Sequence, residues 1–312
     1  MKLQTFLVVA ALLTSSVTGA DLRLGLIGTD TSHTVAFAHV LNDASAPNHI
    51  SGARIEVAYK GGSPEVKDSS SRVDKYAAEL RDKMGVRFVD RISEMCGSVD
   101  GILLESVDPR QHLEQMREAV KCAKPIFIDK PLASSLKDAR EIAHVAAGAH
   151  VSWFSSSSLR FSNIASLKEQ PMNGVMVWGP GPTEPHQQLD LSWYGIHAAE
   201  MLYTLMGTGC AEVTRTSSEE ADVVTCRRKD GRLGTMRVDR PYSKFGAVAF
   251  RDKNKVDAIT EIKVDYVPLV RQIVQFMNSK TPPVSNAETL EIITFLDAAQ
   301  RSKAKNGAPV SM

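Results

Sequence analysis

The sequence predicts a two-domain α/β protein: an N-terminal parallel sheet wound with helices, then an α+β unit on an antiparallel or mixed sheet. Three observations carry this. The 312 residues are enough for about two domains at roughly 100–200 residues each. Up to about residue 135, short apolar runs alternate with helical spacing, and such alternation implies right-handed crossovers between parallel strands. Beyond that point, strand-like segments follow one another with fewer helices between them.

Taken in order, residues 22–28 read as a buried strand meeting a turn, and Thr34 to Asn42 carries helical spacing through Val35, Phe37, Ala38 and Leu41. A second strand, Arg54 to Tyr59, breaks at the turn Gly61-Gly62-Ser63-Pro64. A helix from about Arg72 to Met84 leads to the short strand 86–89, a helix near 91–95 and the apolar strand 101–104. His112 to Cys122 is helical, Pro125 to Asp129 is a buried strand, and Leu136 to Ala147 is a helix. The second unit offers strands at 151–154, 175–178, 223–228 and 232–238, then helices at 267–278 and 287–302, the last of which can pack back on the first domain. The expected division is a leader over 1–20, a nucleotide-binding domain over 21–135 and a second domain over 136–312.

Residues 1–20 stand apart. Lys2, the apolar run Phe6 to Leu13 and the ending Thr18-Gly19-Ala20 match a cleavable export signal. The apolar run falls well short of the ~20 residues that cross a bilayer, so no membrane span is expected after cleavage. An exported, periplasmic or secreted protein is the expectation. The net charge of +1 recruits neither nucleic acid nor an anionic membrane, and no basic stripe with aromatics is present. Cys96, Cys122, Cys210 and Cys226 fit neither a metal pattern nor a dense disulfide scaffold. Cys210 and Cys226 could pair in an oxidising compartment, but buried free thiols are expected.

The first turn, Gly28-Thr29-Asp30-Thr31-Ser32-His33, stands where a Rossmann dinucleotide fingerprint would carry three glycines. Gly28 is the first; Asp30 and His33 replace the second and third. A carboxylate beside a diphosphate opposes the favourable helix N-terminus, and Asp30, Thr31 or Ser32 could instead simply cap the helix. No acid ends the second strand, where a ribose hydroxyl would be read. Lys60 stands there, either as a partner for the 2′-phosphate of NADP or as a solvated charge. Asp30, His33 and His39 match no standard metal signature, and no metal is expected.

Asp129-Lys130-Pro131 follows the apolar run Ile126-Phe127-Ile128. Pro131 keeps Lys130 out of helical geometry, so Lys130 projects from the carboxyl end of a buried parallel strand, where open α/β sheets bind ligands. Low-dielectric walls can tune such a lysine for proton transfer.

This triplet resembles the Glu-Lys-Pro signature of the glucose-fructose oxidoreductase / inositol dehydrogenase / MocA (Gfo/Idh/MocA) family. Three further stretches are similar to that family: Val99 to His112, leading to a histidine near the nicotinamide; Gly195-Ile196-His197 through Gly207, its Gly-x-His helix; and Asn286 to Ser302 with Asn306-Gly307. The resemblance spans nearly all of residues 22–312. It implies a Rossmann domain plus an α+β domain with a large, open, mostly antiparallel sheet that often makes homo-oligomers. It implies NAD or NADP as cofactor, with Gly28, Thr29, Asp30, Ser32, His33, Lys60, His112, Asp129 and Lys130 as the cofactor-side positions. It also implies that Lys130 and His197 polarise a hydroxyl of a carbohydrate or polyol while hydride leaves its carbon.

One departure is plain: the aspartate usual four residues before the histidine is Trp193. With Tyr194 it offers an aromatic platform for a sugar face. Asp190 could reach the site, and Arg160, His186 and Glu184 are polar candidates for the substrate side. The altered turn and the export reading keep two other functions open. One is a non-redox or redox-assisted lyase or glycosidase using Lys130, His197 and His33 as acid and base groups. The other is a sugar-binding protein that has lost its chemistry.

Overall fold

The computed structural model describes residues 20–312; the leader expected over 1–20 lies almost wholly outside them. The first sheet is parallel throughout, in the order β3-β2-β1-β4-β5-β6. Its strands are β1 (Leu22–Ile27), β2 (Ala53–Tyr59), β3 (Arg87–Val89), β4 (Gly101–Leu104), β5 (Ile126–Asp129) and β6 (Trp153–Ser156). The helices between them are α1 (Ser32–Asn42), α2 (Lys67–Ser70), α3 (Val73–Met84), α4 (His112–Ala119) and α5 (Leu136–Gly148). β4, β5 and β6 are buried at every position, as strands covered on both faces must be. The order reverses between β1 and β4, and open α/β sheets bind ligands outside the carboxyl ends at such a point.

Three local readings need correction. The helix expected near 91–95 is a 3-10 stretch, Ile92–Ser98. The strand expected at 151–154 as part of the second unit runs Trp153–Ser156 and pairs in parallel with β5. The first sheet therefore continues past residue 135, with α5 as the crossover. The cysteines are not free: Cys96 is bonded to Cys122, and Cys210 to Cys226.

The second sheet has seven strands in the order β12-β11-β7-β10-β9-β8-β13. They are β7 (Gly174–Pro180), β8 (Cys210–Ser217), β9 (Ala221–Arg228), β10 (Leu233–Asp239), β11 (Gly246–Phe250), β12 (Val256–Ile259) and β13 (Val310–Ser311). Every pairing is antiparallel except β7 with β10. Helix α6 (Gly195–Met206) lies against β7 and β10, and α8 (Asn286–Ala304) against β8 and α5.

Helix α7 (Val267–Ser279) returns to the first domain. It buries Leu269, Val270, Ile273, Phe276 and Met277, the spacing of one helical face. Those side chains join Leu24, Leu26, Phe37, Leu103 and Phe127 in one core cluster. Truncating a buried phenylalanine such as Phe276 typically costs about 3–5 kcal/mol, so α7 holds the second unit firmly against the first. Among the described residues, no helix is long and apolar enough to cross a membrane.

Candidate active site

The ends of β1, β4 and β5 define one edge of a cavity of about 330 Å³, the lower end of the range for ligand sites. Thr31, Ser32 and His33 of the α1 entrance, with Lys130 and Pro131 after β5, form its first-domain wall. Trp193, Tyr194, His197, Tyr242 and Phe245 form the opposite wall, and Tyr266 closes it from the segment before α7. Lys130, His197 and the aromatic pair Trp193–Tyr194, proposed from sequence, thus share one space.

Gly28 holds φ +88°, and a side chain there would strike Ser106 at 2.4 Å. The close approach of two backbones makes glycine obligatory at this turn. The next residue is tied down as well: Thr29 N donates to Lys60 O at 2.9 Å. Asp30 is 1% exposed. Its carboxylate accepts from Ser69 Oγ at 2.6 Å and from Val107 N at 3.0 Å, bridging the segments after β2 and β4. Burial pushes its pKa above the ordinary value against those two bonds. Thr31 is the N-cap of α1, its side chain accepting from His33 N. Asp30 therefore does not cap; it fills the turn where a second glycine would leave room.

His33 turns inward. Its Nδ1 lies 2.8 Å from Asp129 Oδ2, and its ring packs against Tyr266 with centroids 4.8 Å apart. Burial raises the Asp129 pKa, but His33 and Lys130 outweigh it and hold the carboxyl below the ordinary value. Glu105, at the end of β4, is 0% exposed. Burial first, and Asp129 second, drive its pKa well above the usual carboxylate value.

On the other wall, His197 Nδ1 lies 2.7 Å from Ser157 Oγ; its second ring nitrogen has no protein partner among the described residues. Burial, with Lys130 and His33 adding to it, drives the His197 pKa well below its ordinary value. The ring is a neutral imidazole at neutral pH. Burial also raises Tyr266, to about 12.

Other candidates lie elsewhere. Lys60 Nζ pairs with Asp74 at 2.5 Å, both exposed. Both ring nitrogens of buried His112 face backbone oxygens, of Leu132 and Ser106, so the ring fixes two loops rather than a ligand. Arg160 is held between Glu200 and Glu288. Exposed His186 pairs with Glu184, and Asp190 is taken by Arg215 and Lys303. None of these six lines the cavity. Sequence reasoning missed Tyr242, Phe245 and Tyr266, which come from loops without periodic pattern. It also missed Arg72 and Glu105. The signal for Glu105 was its place directly after the apolar strand 101–104.

Residues 23–156 match the model of a family described as oxidoreductases with an NAD-binding Rossmann fold. No curated protein matches the chain by sequence. Among solved structures, a probable dehydrogenase from Thermotoga maritima superposes with TM-score 0.74 at 19% identity, covering 93% of this chain and 98% of that one. Scyllo-inositol dehydrogenase from Lactobacillus casei, with bound NAD(H) and scyllo-inositol, gives 0.73 at 12% identity over 93% and 99%. Myo-inositol dehydrogenase from the same organism, with NAD(H) and myo-inositol, gives 0.72 at 15% over 94% and 97%. At such identities the likeness is one of fold, and it spans both domains.

Proposed function

We propose that this chain moves a hydride between NAD and a hydroxyl-bearing carbon of a sugar or cyclitol, a reading supported by the match of residues 23–156 to the Gfo/Idh/MocA oxidoreductase family. The observation that carries the reading is the convergence of Lys130 and His197 on one cavity at the carboxyl end of the parallel sheet. A cavity of about 330 Å³ suits a ring the size of a monosaccharide, and Trp193, Tyr194 and Tyr242 supply aromatic faces for its apolar side.

The residues present fit the cofactor at its phosphate end. The first turn of α1, through Thr31 and Ser32, faces the same cavity as Arg72, whose guanidinium pairs with Asp68 at 2.9 Å; a helix N-terminus with a guanidinium nearby is anion-binding chemistry. When bound, NAD supplies the hydride acceptor. Lys130 then holds the substrate hydroxyl by its ammonium. His197, neutral and fixed through Ser157, offers its second ring nitrogen to the same hydroxyl proton. General acid–base help of this kind is worth about 10²–10⁴-fold in rate.

A second reading has its own observation. Asp30 closes the turn with two hydrogen bonds, which opposes a diphosphate lying there and favours a non-redox enzyme that uses Lys130 and His197 as an acid–base pair. The two part on one experiment. Purified protein is analysed by native mass spectrometry for a retained nucleotide, titrated with NAD(H) and NADP(H), and assayed with hexoses and cyclitols for NADH formation. Nucleotide binding and turnover that Lys130→Ala abolishes support the redox reading. Failure to bind either nucleotide overturns it in favour of the second.

Export and self-association belong to the same proposal. Two bridged cysteine pairs suit an oxidising compartment. Met176, Leu233, Phe250 and Val256 are exposed on paired strands of the second sheet and offer an apolar face to a second copy.

A further inference from the structure

We propose that the ends of β4 and β5 and the first turn of α1 bind one divalent first-row transition-metal ion, ligated by Glu105, Asp129 and His33. One donor atom from each of the three lies within 4.8 Å of the other two, close enough for a single ion to replace the spaces between them. The three side chains are 0%, 2% and 8% exposed, in that order. Neither oxygen of Glu105 has a hydrogen-bond partner, nor does Oδ1 of Asp129. Lys130 follows Asp129 in the chain, and its backbone and charge bear on that carboxylate, but its side-chain nitrogen makes no hydrogen bond to either acid among the described residues. Three buried carboxylate oxygens in this cluster thus lack a hydrogen-bond partner. Buried polar groups are nearly always satisfied, and these oxygens are not.

The chemistry of the donors selects the ion. One imidazole nitrogen with two carboxylates is a borderline set that suits Zn²⁺ or Mn²⁺, whereas Mg²⁺ and Ca²⁺ prefer oxygen donors alone. Two carboxylates also balance a charge of two, leaving the buried cluster neutral. Only His33 of the three lines the cavity, so the ion sits behind the cavity wall and ties three chain segments together beside Lys130. The site accounts for the departure at the turn: His33 stands where a phosphate turn needs its third glycine, and the imidazole has a purpose there that a glycine could not serve. The inference is independent of the nucleotide reading, because it concerns binding without cofactor or substrate.

The test is the metal content of the full chain as purified, followed by chelator stripping and titration with Zn²⁺ and Mn²⁺, with Mg²⁺ for comparison. The expected result is one equivalent per chain and at least tenfold weaker binding in Glu105→Gln, an isosteric change. His33→Gln serves as the second variant. The melting temperature of stripped wild-type protein should rise with Zn²⁺ or Mn²⁺ and not with Mg²⁺. X-ray absorption on the loaded wild type should show an imidazole among oxygen ligands, a readout that needs no variant to fold. Absence of stoichiometric binding, unchanged affinity in both variants, or a coordination shell without imidazole overturns the proposal.

Discussion

His33 Nδ1 lies 2.8 Å from Asp129 Oδ2, so the first turn of α1 is tied to the end of β5 by a bond inside the protein. That bond joins the altered phosphate turn to the strand carrying Lys130. Removing the imidazole leaves Asp129, 2% exposed, without its hydrogen-bond donor. Loss of a hydrogen bond to a buried charged group costs about 2 kcal/mol. His33→Ala should therefore lower the unfolding free energy in urea by about that amount. A loss below about 0.5 kcal/mol, the range of ordinary surface changes, would show that the bond ties nothing.

Asp30 gives a prediction with two opposed signs. Asp30→Gly removes the bridge to Ser69 and Val107, which should cost about 1–3 kcal/mol of stability. It also restores the second glycine of the fingerprint and removes a carboxylate from beside the diphosphate, so NAD(H) should bind at least tenfold more tightly by calorimetry. Unchanged affinity would place the nucleotide phosphates away from this turn.

The core of the first domain was legible because its strands are continuous apolar runs, β5 above all, with turn residues between them. What lay outside that pattern was harder. Trp153–Ser156 ends in two serines and reads as neither an alternating nor a purely apolar strand, yet the edge of the parallel sheet captures it. Strand β8, Cys210–Ser217, holds one buried arginine, Arg215, paired with Asp190 and Asp222, and ion pairs between distant residues leave no local signal. The place of Lys130 and His197 on one cavity was legible because a proline and a helix motif mark them. Glu105 was not, since its unusual state comes from burial, and sequence does not show what a carboxylate faces.

The disulfides should carry measurable stability. Cys210 and Cys226 are 16 residues apart on neighbouring strands, and closing a loop of about that length stabilises by ~3 kcal/mol in the chain-entropy model. Cys210→Ser with Cys226→Ser should lower the melting temperature by several degrees, and the wild-type protein should take up no thiol label, folded or unfolded, until a reductant is added. A protein whose native thiols label freely would show that the bridges do not form.

Lys130→Ala should lower kcat by about 10²–10⁴-fold and leave the far-ultraviolet spectrum and urea midpoint close to wild type, because its side chain faces the cavity rather than the core. Turnover within a factor of two of wild type would remove the lysine from the chemistry.

His197 sets a pH dependence whose sign follows from its burial. Its folded pKa lies well below the ordinary histidine value, near 6.5 when unperturbed, so below that value the unfolded chain binds a proton that the native ring refuses. Stability then rises with pH wherever the unfolded state holds more protons. The neutral ring contributes nothing adverse above about pH 6.5, and its contribution is lost progressively as pH falls from there towards the folded pKa. Stability profiles of wild type and His197→Gln should therefore run parallel above that pH and part below it, with the wild type losing more stability per pH unit. Parallel profiles through the acid range would mean that the native imidazole takes up its proton as readily as the unfolded one, and that His197 is not the neutral group on which the hydroxyl chemistry rests.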